Sequence, residues 1–336
     1  MNNETPALLG RPRLCVLATG GTIAGVQSGD SGYKAGALGI DALVSAVPGL
    51  DRLAQLELEQ VCSIGSQDMD DAHWHQLLER CRVALARPEI GGVVITHGTD
   101  TMEETAYFLN LALDTQKPVV VVGAMRPASS ISADGPMNLF NAVAACSDTR
   151  AHGRGVLLVA NDEIHFARAV AKTNTTQVGT FRSINRGLAG LVNNGQVHWF
   201  APASTRHTHG SVLMGLSVRQ LPRVEIILAH AGMDNLLIDA AVAAGARGLV
   251  IAGVGSGNMH EKARLACAEA VRRGVRVVRA SRTGGGIVGR NVEMDDDALG
   301  FVAAGDLNPQ KARVLLQLAL LLSPDRDTLQ MLFDTH

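Results

Sequence analysis

The chain has 336 residues, 46% of them hydrophobic and 18% charged, with a formal net charge of −2. That is enough apolar sequence for a large core and too long a chain for one ordinary core, so a globular protein of two domains is expected. Near-neutral charge, no basic tract and 3% aromatics argue against a nucleic-acid partner, and no apolar run reaches the roughly 18–20 residues of a membrane span.

Arg13 to Ala18 reads as a buried strand that runs into the turn Thr19-Gly20-Gly21-Thr22. Ile40 to Val47 reads as a short helix, and Glu57 to Ile64 as a strand ending in Gly65-Ser66-Gln67-Asp68. From Asp71 to Arg87, Trp74, Leu77, Leu78, Cys81 and Leu85 recur at helical spacing. Gly92 to Thr96 is a strand that leads into His97-Gly98-Thr99-Asp100, with a helix from Glu103 to Leu113. Four consecutive valines within Pro118 to Gly123 suit a strand covered on both faces. A helix from Asn138 to Asp148 and a strand from Gly155 to Ala160 complete a βαβα order, which predicts a largely parallel sheet flanked by helices.

The pattern breaks from Gly187 to Arg223, where strand fragments such as Gly195 to Trp199 give way to a His/Ser/Thr cluster. The expected division is an N-terminal domain over 1–202, a linker over 203–222 and a smaller C-terminal α/β domain over 223–336. Beyond Pro222, strands are expected at Val224 to Ala229, Gly248 to Ala252 and Val275 to Ala280, with helices at Leu236 to Ala244 and Glu261 to Arg273. The last helix should be capped by Asn308 with Pro309 at its first position, and Val314, Leu315, Leu318 and Leu322 form its buried stripe. Cys15, Cys62, Cys81, Cys146 and Cys267 include no Cys-x-x-Cys pair and read as small core residues of a reducing compartment. The opening residues lack a cationic region followed by an apolar one. The sequence as it stands is therefore expected in the cytoplasm, and in the periplasm where a signal has been removed.

Loops at the carboxyl ends of strands are where open α/β sheets bind ligands. The first loop reads Gly-Gly-x-x-x-Gly rather than Gly-x-Gly-x-x-Gly, so a dinucleotide loop is weakly supported. A structural turn and a nucleophilic Thr22 both stay open there, the latter needing a nearby proton acceptor. Thr99 beside Asp100 offers hydroxyl and carboxylate, and a lysine supplied from elsewhere could relay a proton to them if burial lowered its pKa. Lys172, set among small polar residues, reads by itself as a solvated surface lysine. Glu103 and Glu104 suit the start of a helix, where negative charge meets the macrodipole. His97 reads as a structural hydrogen-bonder. Ser66 and Gln67 could hold the charged groups of a small ligand, or form an ordinary turn, and His207-x-His209 reads as a linker pair without the companions a metal would need.

Several segments together resemble the bacterial-type L-asparaginase family, type II branch. They are Ala18 to Gly25, Gly65 to Met69, Thr96 to Thr105, Gly123-Ala124-Met125-Arg126-Pro127, Ser132-Ala133-Asp134-Gly135-Pro136, Lys172 to Thr176 and Leu307 to Arg313. The resemblance spans nearly the whole chain, from about Arg13 to the last helix. It implies Thr22 as nucleophile on the side-chain amide, with Tyr33 as its hydroxyl neighbour. It implies Thr99, Asp100 and Lys172 as a second hydroxyl–carboxylate–amine set, with the Thr99 backbone N–H at the oxyanion. Ser66, Gln67, Ala124, Asp100, Asn258 and Glu293 would bind substrate, Asn258 and Glu293 coming from a neighbouring subunit of a homotetramer. No cofactor and no metal are implied. Ser256 stands where a second asparagine is common in the family. The implied reaction is hydrolysis of L-asparagine to L-aspartate and ammonia, with secondary action on L-glutamine. The alternatives are a primary glutaminase-asparaginase and a non-catalytic amino-acid binder, the latter disfavoured by Thr22, Thr99, Asp100 and Lys172 occurring together.

Overall fold

A computed structural model describes residues 10–28, 32–34 and 36–336, with 27–28 and 32–34 described by backbone alone. Strands β1 (Arg13–Gly20), β4 (Gln55–Ile64), β5 (Ile90–Thr96), β6 (Val119–Val122) and β7 (Val156–Ala160) pair in parallel. Strands β2 (Val26–Ser28) and β3 (Gly32–Lys34) form a separate hairpin after β1. At one edge the sheet turns antiparallel through β8 (Glu163–Phe166), β11 (Gly190–Asn193) and β12 (Gln196–Trp199), giving the order β12-β11-β8-β7-β6-β5-β1-β4. Sequence periodicity does not reveal β8. It folds back on β7 through Asn161 and Asp162, both left-handed at φ 52° and 64°, as a tight two-residue hairpin requires. A two-residue pair, β9 (Ala171–Lys172) with β10 (Phe181–Arg182), stands outside this sheet.

The expected layers form on both faces. Helices α3 (Asp71–Ala86) and α4 (Met102–Ala112) cover one, and α1 (Ile40–Ser45), α2 (Leu50–Leu53) and α5 (Gly135–Ser147) cover the other. The valines of β6 divide between them: Val119 and Val121 join the first layer, Val120 and Val122 the second.

The second sheet is parallel throughout, in the order β13 (Val224–Leu228), β14 (Gly248–Gly253), β15 (Arg276–Ser281) and β16 (Phe301–Ala303). On one face lie α6 (Leu236–Ala243) and α7 (Glu261–Arg272), with the short α8 (Asp296–Leu299) beside β16. On the other lies α9 (Pro309–Leu320), capped as expected by Asn308, whose Oδ1 accepts the Lys311 N–H at 3.0 Å. Helix α9 is not the last. Helix α10 (Arg326–Thr335) follows it, capped by Asp325 and buried through Leu329, Leu332 and Phe333. The stripe on α9 also ends sooner than its spacing suggests, because Leu322 lies past the helix end and is exposed.

Helix α9 packs against both β14 and α4, so a single apolar core runs from the first sheet through α4 and α9 into the second. The stretch 203–222 contributes Leu213, Val218 and Leu221 to that core. No helix among the described residues is long and apolar enough to cross a membrane.

Candidate active site

Four neighbouring parallel strands, β4, β1, β5 and β6, release their loops at the same edge of the first sheet. Those loops carry Ser66 and Gln67, Thr22, Thr99 and Asp100, and Ala124 respectively. Glycine lets them interlock. A side chain on Gly21, which sits at φ 80°, would overlap the backbone of Gly98. A Cβ on Gly98 would lie 2.6 Å from Ser66 Oγ, closer than real side chains approach. Hydrogen bonds fasten what the glycines admit. Thr19 Oγ1 donates to the Thr96 carbonyl at 2.9 Å, and the Gly21 N–H donates to the Ile64 carbonyl at 2.9 Å. Ser66 Oγ accepts the Asp100 N–H at 3.1 Å, and Thr101 Oγ1 donates to the Ser66 carbonyl at 2.7 Å. The hydroxyl residues Thr22, Ser66 and Thr99 are thereby buried on adjoining loops.

Lys172 arrives from β9. Its Nζ donates to Thr99 Oγ1 at 2.9 Å and to Asp100 Oδ1 at 2.6 Å. A lysine placed between a hydroxyl and a carboxylate can pass a proton from one towards the other, and the structure brings Thr99, Asp100 and Lys172 together. Asp134 steadies the Ala124 loop: its carboxylate accepts the Met125 and Arg126 N–H groups at 2.9 Å each, and the Asn138 amide at 3.1 Å. Gln67 is exposed and donates to Asp68 at 3.3 Å. The Tyr33 backbone belongs to the β2–β3 hairpin, and its side chain lies outside the described residues.

His97 is fully buried, its Nδ1 2.7 Å from the Gly98 carbonyl. Burial pushes its pKa down to about 4, so the ring is neutral and structural near neutral pH. His207 and His209 face different partners, Thr208 and Asp114.

Glu103 does more than suit a helix start. It is buried, accepts the Asn308 amide at 3.2 Å and lies 3.8 Å from the Lys311 ammonium. Burial raises its pKa, and Lys311 and the Asn308 hydrogen bond oppose that rise.

Asn258 and Glu293 lie together in the C-terminal unit, where the Asn258 amide donates to the Glu293 carboxylate. Among the described residues, no hydrogen bond or ion pair joins them to Ser66, Thr99, Asp100 or Lys172. A buried ion pair organises both of their loops. Arg279, 1% exposed, donates to both oxygens of Asp296 at 2.5 and 2.6 Å. Its remaining donors reach the carbonyls of Ser256 at 3.1 Å, Gly257 at 3.3 Å and Gly289 at 3.1 Å.

Arg279 and Asp296 escape the motif reading, and Lys311, inside the Leu307 to Arg313 segment, receives no role from it, although the sequence carries a signal for two of the three. Arg279 interrupts a buried run, Val277-Val278-Arg279-Ala280, and Lys311 sits on the same stripe as Val314, Leu315 and Leu318. A charge at an inward position needs buried partners.

Known proteins agree with this architecture along the whole chain. The family model "Asparaginase, N-terminal" matches residues 13–205, and "Glutaminase/Asparaginase C-terminal domain" matches residues 223–333. L-asparaginase 2 of Escherichia coli is 46% identical over 334 residues, covering 98% of this chain and 95% of that protein. Glutaminase-asparaginase of Pseudomonas fluorescens is 41% identical, covering 95% of this chain and 89% of that protein. A crystal structure of a probable cytoplasmic L-asparaginase from Campylobacter jejuni superposes with a TM-score of 0.91 at 41% identity, over 97% of this chain and 100% of that one. Interlocked glycine loops, a lysine brought onto a threonine–aspartate pair, and matches in both halves lead to one conclusion: the chain belongs to the asparaginase family.

Proposed function

We propose that the chain hydrolyses the side-chain amide of L-asparagine to L-aspartate and ammonia, through an acyl-enzyme on Thr22. The observation that carries this reading is Lys172 Nζ within hydrogen-bond reach of both Thr99 Oγ1 and Asp100 Oδ1, on the loop interlocked with that of Thr22. The Thr22 oxygen attacks the amide carbon, and its proton passes to the departing nitrogen, with Tyr33 as hydroxyl neighbour. The Thr99 N–H stabilises the oxyanion, where one such donor is worth about 2.7–4 kcal/mol. The C–N bond breaks and ammonia leaves. Water, with Thr99, Lys172 and Asp100 relaying its proton, then cleaves the ester and restores Thr22. Ser66 and Gln67 take the substrate's α-carboxylate and α-ammonium, with Ala124 beside the amide. Asp100, Asn258 and Glu293 complete the ammonium site.

L-Glutamine is a secondary substrate in this reading, supported by relatives named glutaminase-asparaginase. The domains are 1–202 and 223–336, joined by 203–222. The active species is a homotetramer whose sites lie between subunits, with Asn258 and Glu293 supplied by a second copy. Their pairing with each other, apart from the Lys172 cluster, supports this. So do Ile184, Ile226 and Leu228, which are exposed around a groove beside Lys172. A fully active monomer in sedimentation would contradict the shared site.

The direct test is ammonia release from L-asparagine and L-glutamine in parallel, with Thr22→Ala as control. Strong turnover of asparagine, weaker turnover of glutamine and loss of both in the variant support the reading. Equal turnover makes the chain a dual glutaminase-asparaginase. Undiminished turnover in Thr22→Ala removes Thr22 from the nucleophile's role.

A further inference from the structure

Lys172 has a slender footing for a residue on which a reaction would depend. Strand β9 is two residues long, pairs only with the two-residue β10, and stands apart from the main sheet. Local bonds from Thr173 to Thr180 and from Val170 to Phe166 steady the segment, and further support reaches it from the other half of the molecule. Lys311, at the first turn of α9, is 2% exposed and aims its ammonium at the segment that leads into β9. Nζ donates to the Arg168 carbonyl at 3.2 Å and to the Val170 carbonyl. It also faces the Glu103 carboxylate at 3.8 Å. Glu103 lies in the first turn of α4, three residues beyond Asp100, and lies beside the Lys172 backbone. Asn308 closes the circuit. Its Oδ1 caps α9 at the Lys311 N–H and its amide donates to Glu103 at 3.2 Å.

Every one of these Lys311 contacts ends on a chain segment carrying a proposed catalytic group. The two carbonyls are four and two residues before Lys172, and Glu103 follows Thr99 and Asp100. A lysine that only joined two domains would have no reason to spend its donors there. Nor is its burial without cost: an ammonium taken out of water needs its partners in place, and desolvation pushes the pKa of Lys311 down to about 8 against the pull of Glu103 and Asp306.

We propose that Lys311 is a positioning residue for the reaction. Together with Glu103 and Asn308, it holds the 168–172 segment in register with α4, so that Lys172 Nζ meets Thr99 Oγ1 and Asp100 Oδ1. The inference rests on the role given to Lys172 above. Small misplacements of reacting groups from distant sites can cost about a hundredfold in rate. Ser66 and Gln67, which would grip the substrate's carboxylate and ammonium, sit on another loop, where Ser66 Oγ accepts the Asp100 N–H and Gln67 donates to Asp68, neither bond involving Lys311. Loss of Lys311 should therefore act far more on turnover than on binding, which Asp100 shares with several groups that Lys311 does not touch.

The experiment compares wild type, Lys172→Met, Lys311→Met and Glu103→Gln for kcat and KM on L-asparagine, and for the affinity of L-aspartate by calorimetry. Circular dichroism checks that each variant folds. The expected result for Lys311→Met is a fall in kcat of roughly ten- to a hundredfold. KM and the aspartate Kd should stay within about threefold of wild type, since the binding groups keep their own anchors. Glu103→Gln keeps its shape and an acceptor for Asn308 and should show the same split more mildly; it decides the matter if Lys311→Met fails to fold. A folded Lys311→Met enzyme with kcat within twofold of wild type overturns the proposal. So does a loss in which the aspartate Kd rises in step with the fall in kcat, the mark of general damage to the pocket. Lys172→Met separates the two levels: if it turns over like wild type, the role of Lys172 fails, and if it is dead while Lys311→Met is unaffected, only the positioning role fails.

Discussion

Replacing Arg279 by methionine should damage stability and substrate binding together, and by calculable amounts. The substitution removes one member of an ion pair whose other member, Asp296, is 0% exposed. An uncompensated buried charge of this kind typically costs about 3–5 kcal/mol. The carbonyls of Ser256, Gly257 and Gly289 lose donors in the same event, which places the loss toward the upper end of that range. For a large domain, at about 2 °C per kcal/mol, the melting midpoint should fall by roughly 6–10 °C. The functional effect follows from which loops are released. One leads directly to Asn258 and the other spans Glu293 between Gly289 and Asp296. Loss of a charge-assisted contact to the substrate's ammonium costs about 1.5–3 kcal/mol, so KM for L-asparagine should rise on the order of 10- to 100-fold. Differential scanning calorimetry and steady-state ammonia release read the two effects. A midpoint within 2 °C of wild type, or a lowered midpoint with unchanged KM, would refute the view that Arg279 supports the substrate-binding loops.

Three further outcomes are expected. Gly98→Ala should cut kcat/KM at least tenfold, because its new Cβ would lie 2.6 Å from Ser66 Oγ and 2.8 Å from Ser66 Cβ; an unchanged value would show that the loops tolerate separation. Asp134→Ala should cost about 2 kcal/mol in urea denaturation, since it strips the acceptor from the Met125 and Arg126 N–H groups. His97 should make the fold acid-sensitive. Its folded pKa of about 4 lies below the ordinary 6.5, so the unfolded chain takes up the proton first. Stability is then fully present above 6.5 and is lost as pH falls toward 4, by on the order of 3 kcal/mol from this residue. In His97→Asn, the plot of melting midpoint against pH should be flatter over that interval.

The parallel strands and their crossover helices were legible because each is a short apolar run or a helical repeat, and the four-valine strand announced burial on both faces. The hairpin edge at β8 was not, since a four-residue strand after a polar Asn-Asp turn leaves no periodicity to read. Helix α10 was hidden by Pro324, which follows the end of α9 and immediately precedes the Asp325 cap of the next helix. In the site, the glycine-rich strand ends marked Thr22, Ser66, Thr99 and Asp100 as candidates, but an ordinary turn accounts for the Thr22 and Ser66 segments as well, and only the resemblance chose between the readings. Lys172 was readable only through resemblance, because nothing local to Ala171-Lys172-Thr173 says which loop it will meet. Lys311 and Arg279 look like surface charges in composition. Only their positions on apolar stripes betray them, and their partners lie far off in sequence.

The seam formed by α4 and α9 makes covalent continuity between the halves almost incidental. Each half presents to the other an apolar face that water would otherwise wet, and Glu103, Asn308 and Lys311 key one face to the other. A backbone cut at an exposed position of 203–222, away from the buried Leu213, Val218 and Leu221, should leave two fragments with faces that fit each other. The chain is therefore a natural candidate for fragment complementation, in which catalytic output reports that two separately expressed pieces have met.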